Sequence, residues 1–242
     1  MRILVISDIH GNLDALEAVL AASIPVDAVW CLGDLVGYGP DPNECITRIR
    51  SLPNLTCIMG NHDAAIGGNK NIDKFNDDAQ RTIQISKNAI SPENLVYLKR
   101  LREKVVTQLV TLTHGSPRNP VWEYLVDPFT AMMNFAFFNT QLAFVGHSHL
   151  PISFTIDPGG EKVHRIIQEG DQEMKITSRA ILNPGSVGQP RDHDPRASFG
   201  IFDPEELTWN IHRVAYNIEA VQKRIIAAGL PERQAKRLTD GW

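Results

Sequence analysis

The chain has 242 residues, 43% of them hydrophobic and 21% charged, with a formal net charge of −4. That length and balance suit an ordinary globular fold and exclude a disordered or fibrous one. No run of basic residues provides a nucleic-acid footprint, and no apolar stretch reaches membrane-spanning length.

The first third alternates strand and helix. Residues 2–7 read as a strand and 13–22 as a helix with Asn12 as its N-cap. Residues 27–32 read as a second strand, about 43–52 as a helix opened by Pro42, and 55–59 as a third strand. This βαβαβ alternation predicts a parallel sheet with right-handed crossovers. Residues of about 64–104 form a helical excursion, with helices expected near 73–88 and 92–101, the second started by Ser91-Pro92-Glu93-Asn94. A helix of about 128–138, capped by Asp127, is apolar nearly all round and so is expected to be well buried.

After residue 150 the pattern changes to short strands with tight turns: 152–156, 162–168, 174–177, 179–182, 198–203 and 207–213. Turns at Asp157-Pro158-Gly159-Gly160 and Asp203-Pro204-Glu205-Glu206 suggest hairpins. Helices at 216–228 and from Pro231 complete the chain. No linker or repeat interrupts it, and the reading is one α/β domain over 1–242 whose second half adds antiparallel strands. Cys31, Cys45 and Cys57 are odd in number and form no CxxC, so they read as free thiols of a reducing compartment. The N-terminus resembles a strand and not a secretion signal, and a cytoplasmic location is expected.

Five short polar clusters carry the chemistry. Asp8-Ile9-His10, Gly33-Asp34, Gly60-Asn61-His62-Asp63, His114-Gly115 and Gly146-His147-Ser148-His149 each follow an apolar run, and they contain five of the eight histidines. Ligands of open α/β sheets bind at the carboxyl ends of strands, where all five clusters would converge. Asp, Asn and His suit Mn²⁺, Fe, Zn²⁺ or Mg²⁺ and not a thiolate site. The glycines Gly11, Gly33, Gly60, Gly115 and Gly146 are expected to take positive φ in sharp turns out of each strand. Any one cluster alone reads more readily as a turn, a helix cap or a surface pair than as a metal site. Five in this order, each after an apolar run, read as a metal centre.

The ordered set DxH, GDxxxxG, GNHD, HG and GHSH resembles the calcineurin-like metallophosphoesterases. The segments Gly33–Pro40 and Asn183–Arg191 are similar to its small bacterial and archaeal phosphodiesterase-type branch. The resemblance implies a metallophosphoesterase-type β-sandwich of two mixed sheets flanked by helices. It also implies two divalent ions, Mn²⁺ first, with Fe, Zn²⁺, Ni²⁺ or Mg²⁺ as alternatives. Asp8, His10 and His149 would hold one ion and Asn61, His114 and His147 the other. Asp34 would bridge them, with a bridging water or hydroxide as nucleophile. His62 would stand beside the phosphate, protonating the leaving oxygen or stabilising charge, with Asp63 as its orienting carboxylate or, equally, as a loop cap.

The phosphate-gripping arginine of the family's serine/threonine phosphatases has no counterpart in Gly33–Gly39, which contains no Arg. Arg191 is the candidate replacement, with Arg118 and Arg196 behind it. Asn12 is a candidate substrate contact as well as a cap. Tyr38, Trp122 and Tyr124 are candidate pocket aromatics, set against a packing role. The implied activity is phosphodiester hydrolysis, with a nucleotide or cyclic nucleotide as candidate substrate. The alternatives are a phosphomonoesterase, including a protein serine/threonine phosphatase, and a non-catalytic scaffold of the same fold. The expected partner is a small phosphate ester, with no nucleic acid or membrane, and self-association is left open.

Overall fold

The computed structural model describes residues 1–23, 25–68, 72–168, 170 and 173–242. The polar residues Asn69, Lys70 and Asn71 of the excursion lie outside that set. In chain order the first half runs β1 (Ile3–Ile6), α1 (Leu13–Ser23), β2 (Ala28–Cys31), α2 (Pro42–Arg50), β3 (Leu55–Cys57), α3 (Asn61–Gly68), α4 (Asp77–Ala89), α5 (Pro92–Arg100), β4 (Lys104–Val106) and β5 (Val110–Thr113). The second half runs α6 (Pro128–Asn134), β6 (Leu142–Phe144), β7 (Ile152–Ile156), β8 (Val163–Ile167), β9 (Met174–Lys175), β10 (Ala180–Leu182), β11 (Ala197–Asp203), β12 (Thr208–Val214), α7 (Ile218–Ala227) and α8 (Glu232–Asp240).

Two six-stranded mixed sheets result, in the orders β3-β2-β1-β11-β12-β9 and β4-β5-β6-β10-β7-β8. Each contains a parallel trio, β1-β2-β3 in one and β5-β6-β10 in the other, flanked by antiparallel strands. Side-chain alternation along β1 shows how the layers form. Ile3 and Val5 face the second sheet, in one core with its Leu112, Leu142, Phe144 and Leu182 and with Trp209 of β12. Leu4 and Ile6 face the helices, where they pack with Leu16, Val19, Ile46 and Ile49. Between the sheets, Phe144 meets Trp30, Phe202 and Trp209 at ring-centroid distances of 5.4, 5.2 and 5.4 Å.

The helix expected to be well buried is the clearest departure. α6 is short, passing into a 3-10 turn at Phe135–Phe137, and only one side of it meets a sheet. Ala131, Phe135 and Phe138 pack against Phe154 and Ile181, while Phe129, Met133 and Phe137 face outward. An all-round apolar helix is buried only if a further layer covers it, and the described residues provide none. Two elements escaped the sequence reading, β4 and α3, the second of which begins at the ligand candidate Asn61. Cys31, Cys45 and Cys57 are free thiols. No helix among the described residues is long and apolar enough to cross a membrane.

Candidate metal centre

The candidate ligands lie just beyond the carboxyl ends of the two parallel trios: Asp8 and His10 after β1, Asp34 after β2, Asn61 after β3, His114 after β5, and His147 and His149 after β6. All seven are at most 5% exposed. Five of them, Asp8, His10, Asp34, His147 and His149, have φ between 50° and 64°. Non-glycine residues held in the left-handed region cost about 1 kcal/mol each and persist only where surrounding bonds fix them. Those bonds are present. Asp8 N–H donates to Gly33 O, His10 N–H to Asp34 O, and His147 N–H to Asp8 Oδ2.

The glycine expectation holds only in part. Gly11 and Gly33 have positive φ, but Gly60, Gly115 and Gly146 do not. Gly60 and Gly146 are required for close approach instead. A Cβ at Gly60 would lie 2.1 Å from Asp34 Oδ1, and one at Gly146 would lie 2.0 Å from Ser7 Oγ.

Three imidazoles are oriented the same way. Nδ1 of His10 donates to Val36 O (3.1 Å), Nδ1 of His114 to Leu32 O (2.8 Å), and Nδ1 of His149 to Gln189 O. With the proton fixed on Nδ1, each Nε2 presents a lone pair to the centre. Three close donor groups result: Asp8-His10-His149 and Asp34-His114-His147, with His10-Asp34-His62 between them. His10 Nε2 and His149 Nε2 are 3.1 Å apart, and both groups are held far below the ordinary imidazole range by burial. Two opposed lone pairs at that distance repel unless a cation lies between them, and the spacing matches two nitrogens each about 2.0–2.1 Å from one ion. Asp8 Oδ1 and His147 Nε2 are buried without any hydrogen-bond partner. The donor set therefore fits two divalent ions.

The electrostatics agree. Asp34 Oδ2 lies 3.3 Å from His114 Nε2 and 3.6 Å from His10 Nε2, between the triads, while Oδ1 accepts from His62 N–H at 2.8 Å. Burial opposes its ionisation, but His114 and His62 outweigh it and hold the carboxyl well below its usual range. His114 also faces Asn61 Oδ1 at 3.0 Å. Burial would lower its pKa, but Asp34 and Asp8 raise it to about 9, so a proton occupies Nε2 when no metal does. Burial pushes Asp8 up to about 6.

Of the two readings of Asp63, the loop cap is formed and the partnership with His62 is not. Asp63 Oδ2 accepts from the N–H groups of Asp34 (2.8 Å) and Gly60 (3.0 Å), and Oδ1 from that of Leu35 (3.0 Å). Three backbone donors satisfy the carboxylate, so it fixes the Asp34 loop and closes the start of α3 by reaching back to Gly60. His62 Nδ1 has no hydrogen-bond partner. Its ring is held by contacts with Tyr38 (4.5 Å), His10 (4.8 Å) and Phe75 (4.9 Å), and burial lowers its pKa to about 4.

Asn12 is also reassigned. Its Oδ1 caps Ala15 N–H at 3.1 Å and its Nδ2 donates to Gly188 O at 3.0 Å, so both polar atoms serve the fold. Ser148 shapes the turn, its Oγ accepting from Asn183 Nδ2 at 3.0 Å.

A cavity of about 380 Å³ opens onto Asp34, Asn61, His147 and His149, and Arg191 and His62 line it. Arg191 Nη2 donates to Gln189 Oε1 at 3.3 Å, and its guanidinium lies over the Tyr38 ring at 6.0 Å. Arg118 and Arg196 are absent from the lining residues; they pair with Glu123 and Asp194. Tyr124 stacks on His147 at 3.9 Å. The sequence reading missed Phe75 and Lys74, which line the same cavity and come from the start of the helical excursion.

The profile of the calcineurin-like phosphoesterase superfamily domain matches residues 1–207. The chain belongs to this superfamily. An uncharacterized protein of Methanocaldococcus jannaschii is 39% identical over 243 residues, covering 98% of this chain and 96% of its own. The crystal structure of a metallophosphoesterase from Sphaerobacter thermophilus superposes with a TM-score of 0.92 at 43% identity, over 100% of this chain and 99% of that one. A symmetrical bis(5'-nucleosyl)-tetraphosphatase of Pectobacterium atrosepticum is 36% identical over 88 residues, 32% of this chain and 31% of that protein. This family comprises phosphoester hydrolases that use divalent metals, and the clustered Asp and His donors are candidates to hold them.

Proposed function

We propose that the protein is a dinuclear metal-dependent phosphodiesterase acting on small phosphate esters. The observation that carries this reading is the pair of donor triads meeting at Asp34, with an arginine facing the same cavity. Asp8, His10 and His149 would hold one ion, and Asn61, His114 and His147 the other, with Asp34 shared. Divalent ions there supply Lewis-acid chemistry, polarising the phosphoryl oxygens and acidifying water.

The chain's own residues do the rest. The carbonyls of Val36, Leu32 and Gln189 fix the imidazole tautomers, so no reorganisation accompanies each turnover. Arg191 binds a non-ester oxygen of the phosphate. Among the described residues it is the one arginine lining the cavity, which Lys74 also lines. His62 is neutral at physiological pH and gives a hydrogen bond to the ester oxygen as charge develops there. Nucleotide esters come first among candidate substrates, in keeping with the partial match to the bis(5'-nucleosyl)-tetraphosphatase.

The test is hydrolysis of bis-p-nitrophenyl phosphate and p-nitrophenyl phosphate side by side, with Mn²⁺ added back to metal-stripped protein. Metal-restored activity favouring the diester is expected. Preference for the monoester would replace this reading with a phosphatase, and no turnover of either would remove it.

A further inference from the structure

The cavity extends outward from the metal centre along an aromatic wall. His62 meets Phe75 at 4.9 Å, and Phe75 meets Trp122 at 5.7 Å, both edge-to-face. Lys74 Nζ stands over the Trp122 ring at 5.4 Å. The two aromatic residues come from separate segments, and each is pinned. Phe75 N–H donates to Ile72 O at 3.1 Å, and Phe75 O accepts from Gln80 Nε2 at 2.7 Å. The next residue, Asn76, caps α4 through Ala79 N–H.

The loop bearing Trp122 is fastened by its neighbour Glu123. Glu123 Oε2 accepts from Ser116 Oγ at 2.6 Å, Asn134 Nδ2 at 3.0 Å and Arg118 Nε at 3.3 Å. Neither aromatic residue belongs to the metal centre, and both are partly exposed and line the cavity. Tyr38 and Tyr124, the other candidate aromatics, are already engaged, with His10 and His62 in one case and His147 in the other.

We propose that Phe75, Trp122 and Lys74 form a subsite for the ester arm of a nucleotide, the aromatic pair receiving the base and Lys74 a further phosphate. The inference rests on the phosphodiesterase reading and names its substrate class. An aromatic wall beside a lysine selects a ligand that is both planar and anionic. A choline-type headgroup would meet Lys74 and Arg191 as like charges. A rigid wall pre-pays the ordering that stacking otherwise costs.

The experiment is calorimetric titration of the Mn²⁺-loaded protein with AMP, ADP and ribose 5-phosphate. AMP and ribose 5-phosphate differ only in the base, so their ratio of Kd values reads the aromatic wall directly. Base stacking predicts AMP to bind about 5- to 150-fold tighter. Trp122→Ala brings the ratio close to one, whereas Trp122→Phe keeps most of it. ADP binds more tightly than AMP, and Lys74→Gln removes that advantage. Equal affinity of the wild-type protein for AMP and ribose 5-phosphate, or a ratio unmoved by both Trp122→Ala and Phe75→Leu, would overturn the subsite. With nitrophenyl diester hydrolysis intact, that result would leave the phosphodiesterase reading standing. Base-dependent AMP binding without diester hydrolysis would do the reverse, sinking the activity and keeping the subsite.

Discussion

Asp63→Ala separates the two roles that the GNHD motif permits. The carboxylate accepts from three backbone N–H groups, those of Asp34, Leu35 and Gly60, in a site with no solvent exposure. Truncation leaves three buried donors without partners. Each orphan costs about 1–3 kcal/mol, and local relaxation favours the low end, giving a total near ~3 kcal/mol. For a chain of this size ~1 kcal/mol shifts Tm by about 2–4 °C, so the metal-free variant should melt ~6–12 °C below wild type. Asp63→Asn retains one oxygen acceptor and should fall between the two. The assay is thermal unfolding in excess chelator, paired with metal content and turnover after reloading. A variant that melts with the wild type, binds both metals and yet loses turnover would refute the reasoning. It would return Asp63 to an acid–base partnership with His62.

Three further outcomes are expected. His62→Ala should lower turnover by about 10²–10⁴-fold on esters with poor leaving groups and by less on nitrophenyl esters, with metal content preserved. Loss of metal would make His62 a ligand, an arrangement its proximity to His10 and Asp34 also permits. Arg191→Ala should raise KM about tenfold or more for charged diesters, and Arg191→Lys should recover part of it; an unchanged KM would remove Arg191 from the phosphate site. For pH, His114 is raised from 6.5 to about 9 in the metal-free fold. Its charged form therefore stabilises that fold fully below pH 6.5, and the contribution is lost as pH rises through about 9. Metal binding must displace the proton, so Mn²⁺ affinity should increase with pH up to about 9 and uptake at neutral pH should release protons. Calorimetry in two buffers of different ionisation enthalpy reads this directly; heats that do not depend on the buffer would contradict it.

The convergence of the candidate donors was legible because each polar cluster follows an apolar run and the parallel strands force those ends together. The run Ile3–Ile6 with Asp8 and His10 behind it is sufficient to place two donors at a strand end. Fold class followed from the switch between βαβ spacing and tight turns after residue 150. What was illegible depended on neighbours far away in sequence. α3 is buried throughout Asn61–Gly67, so it has no polar face and therefore no helical period to read. Asp63 reaches Asp34 and Leu35, a contact between two loops that adjacency to His62 does not suggest. The outward side of α6 is uncovered because no layer lies over it, although its composition is that of a core helix. Phe75 looked like one more apolar residue in a polar stretch; only the packing of the excursion against the loop containing Trp122 turns it into a wall of the cavity.

Crystals grown with Mn²⁺ and measured at the manganese absorption edge test the central claim most directly. Two anomalous peaks per chain are predicted, one within reach of Asp8, His10 and His149 and the other within reach of Asn61, His114 and His147, with Asp34 contacting both. Asp34→Asn should weaken or abolish at least one. A single peak in the wild-type protein, or peaks away from Asp34, would contradict the dinuclear account.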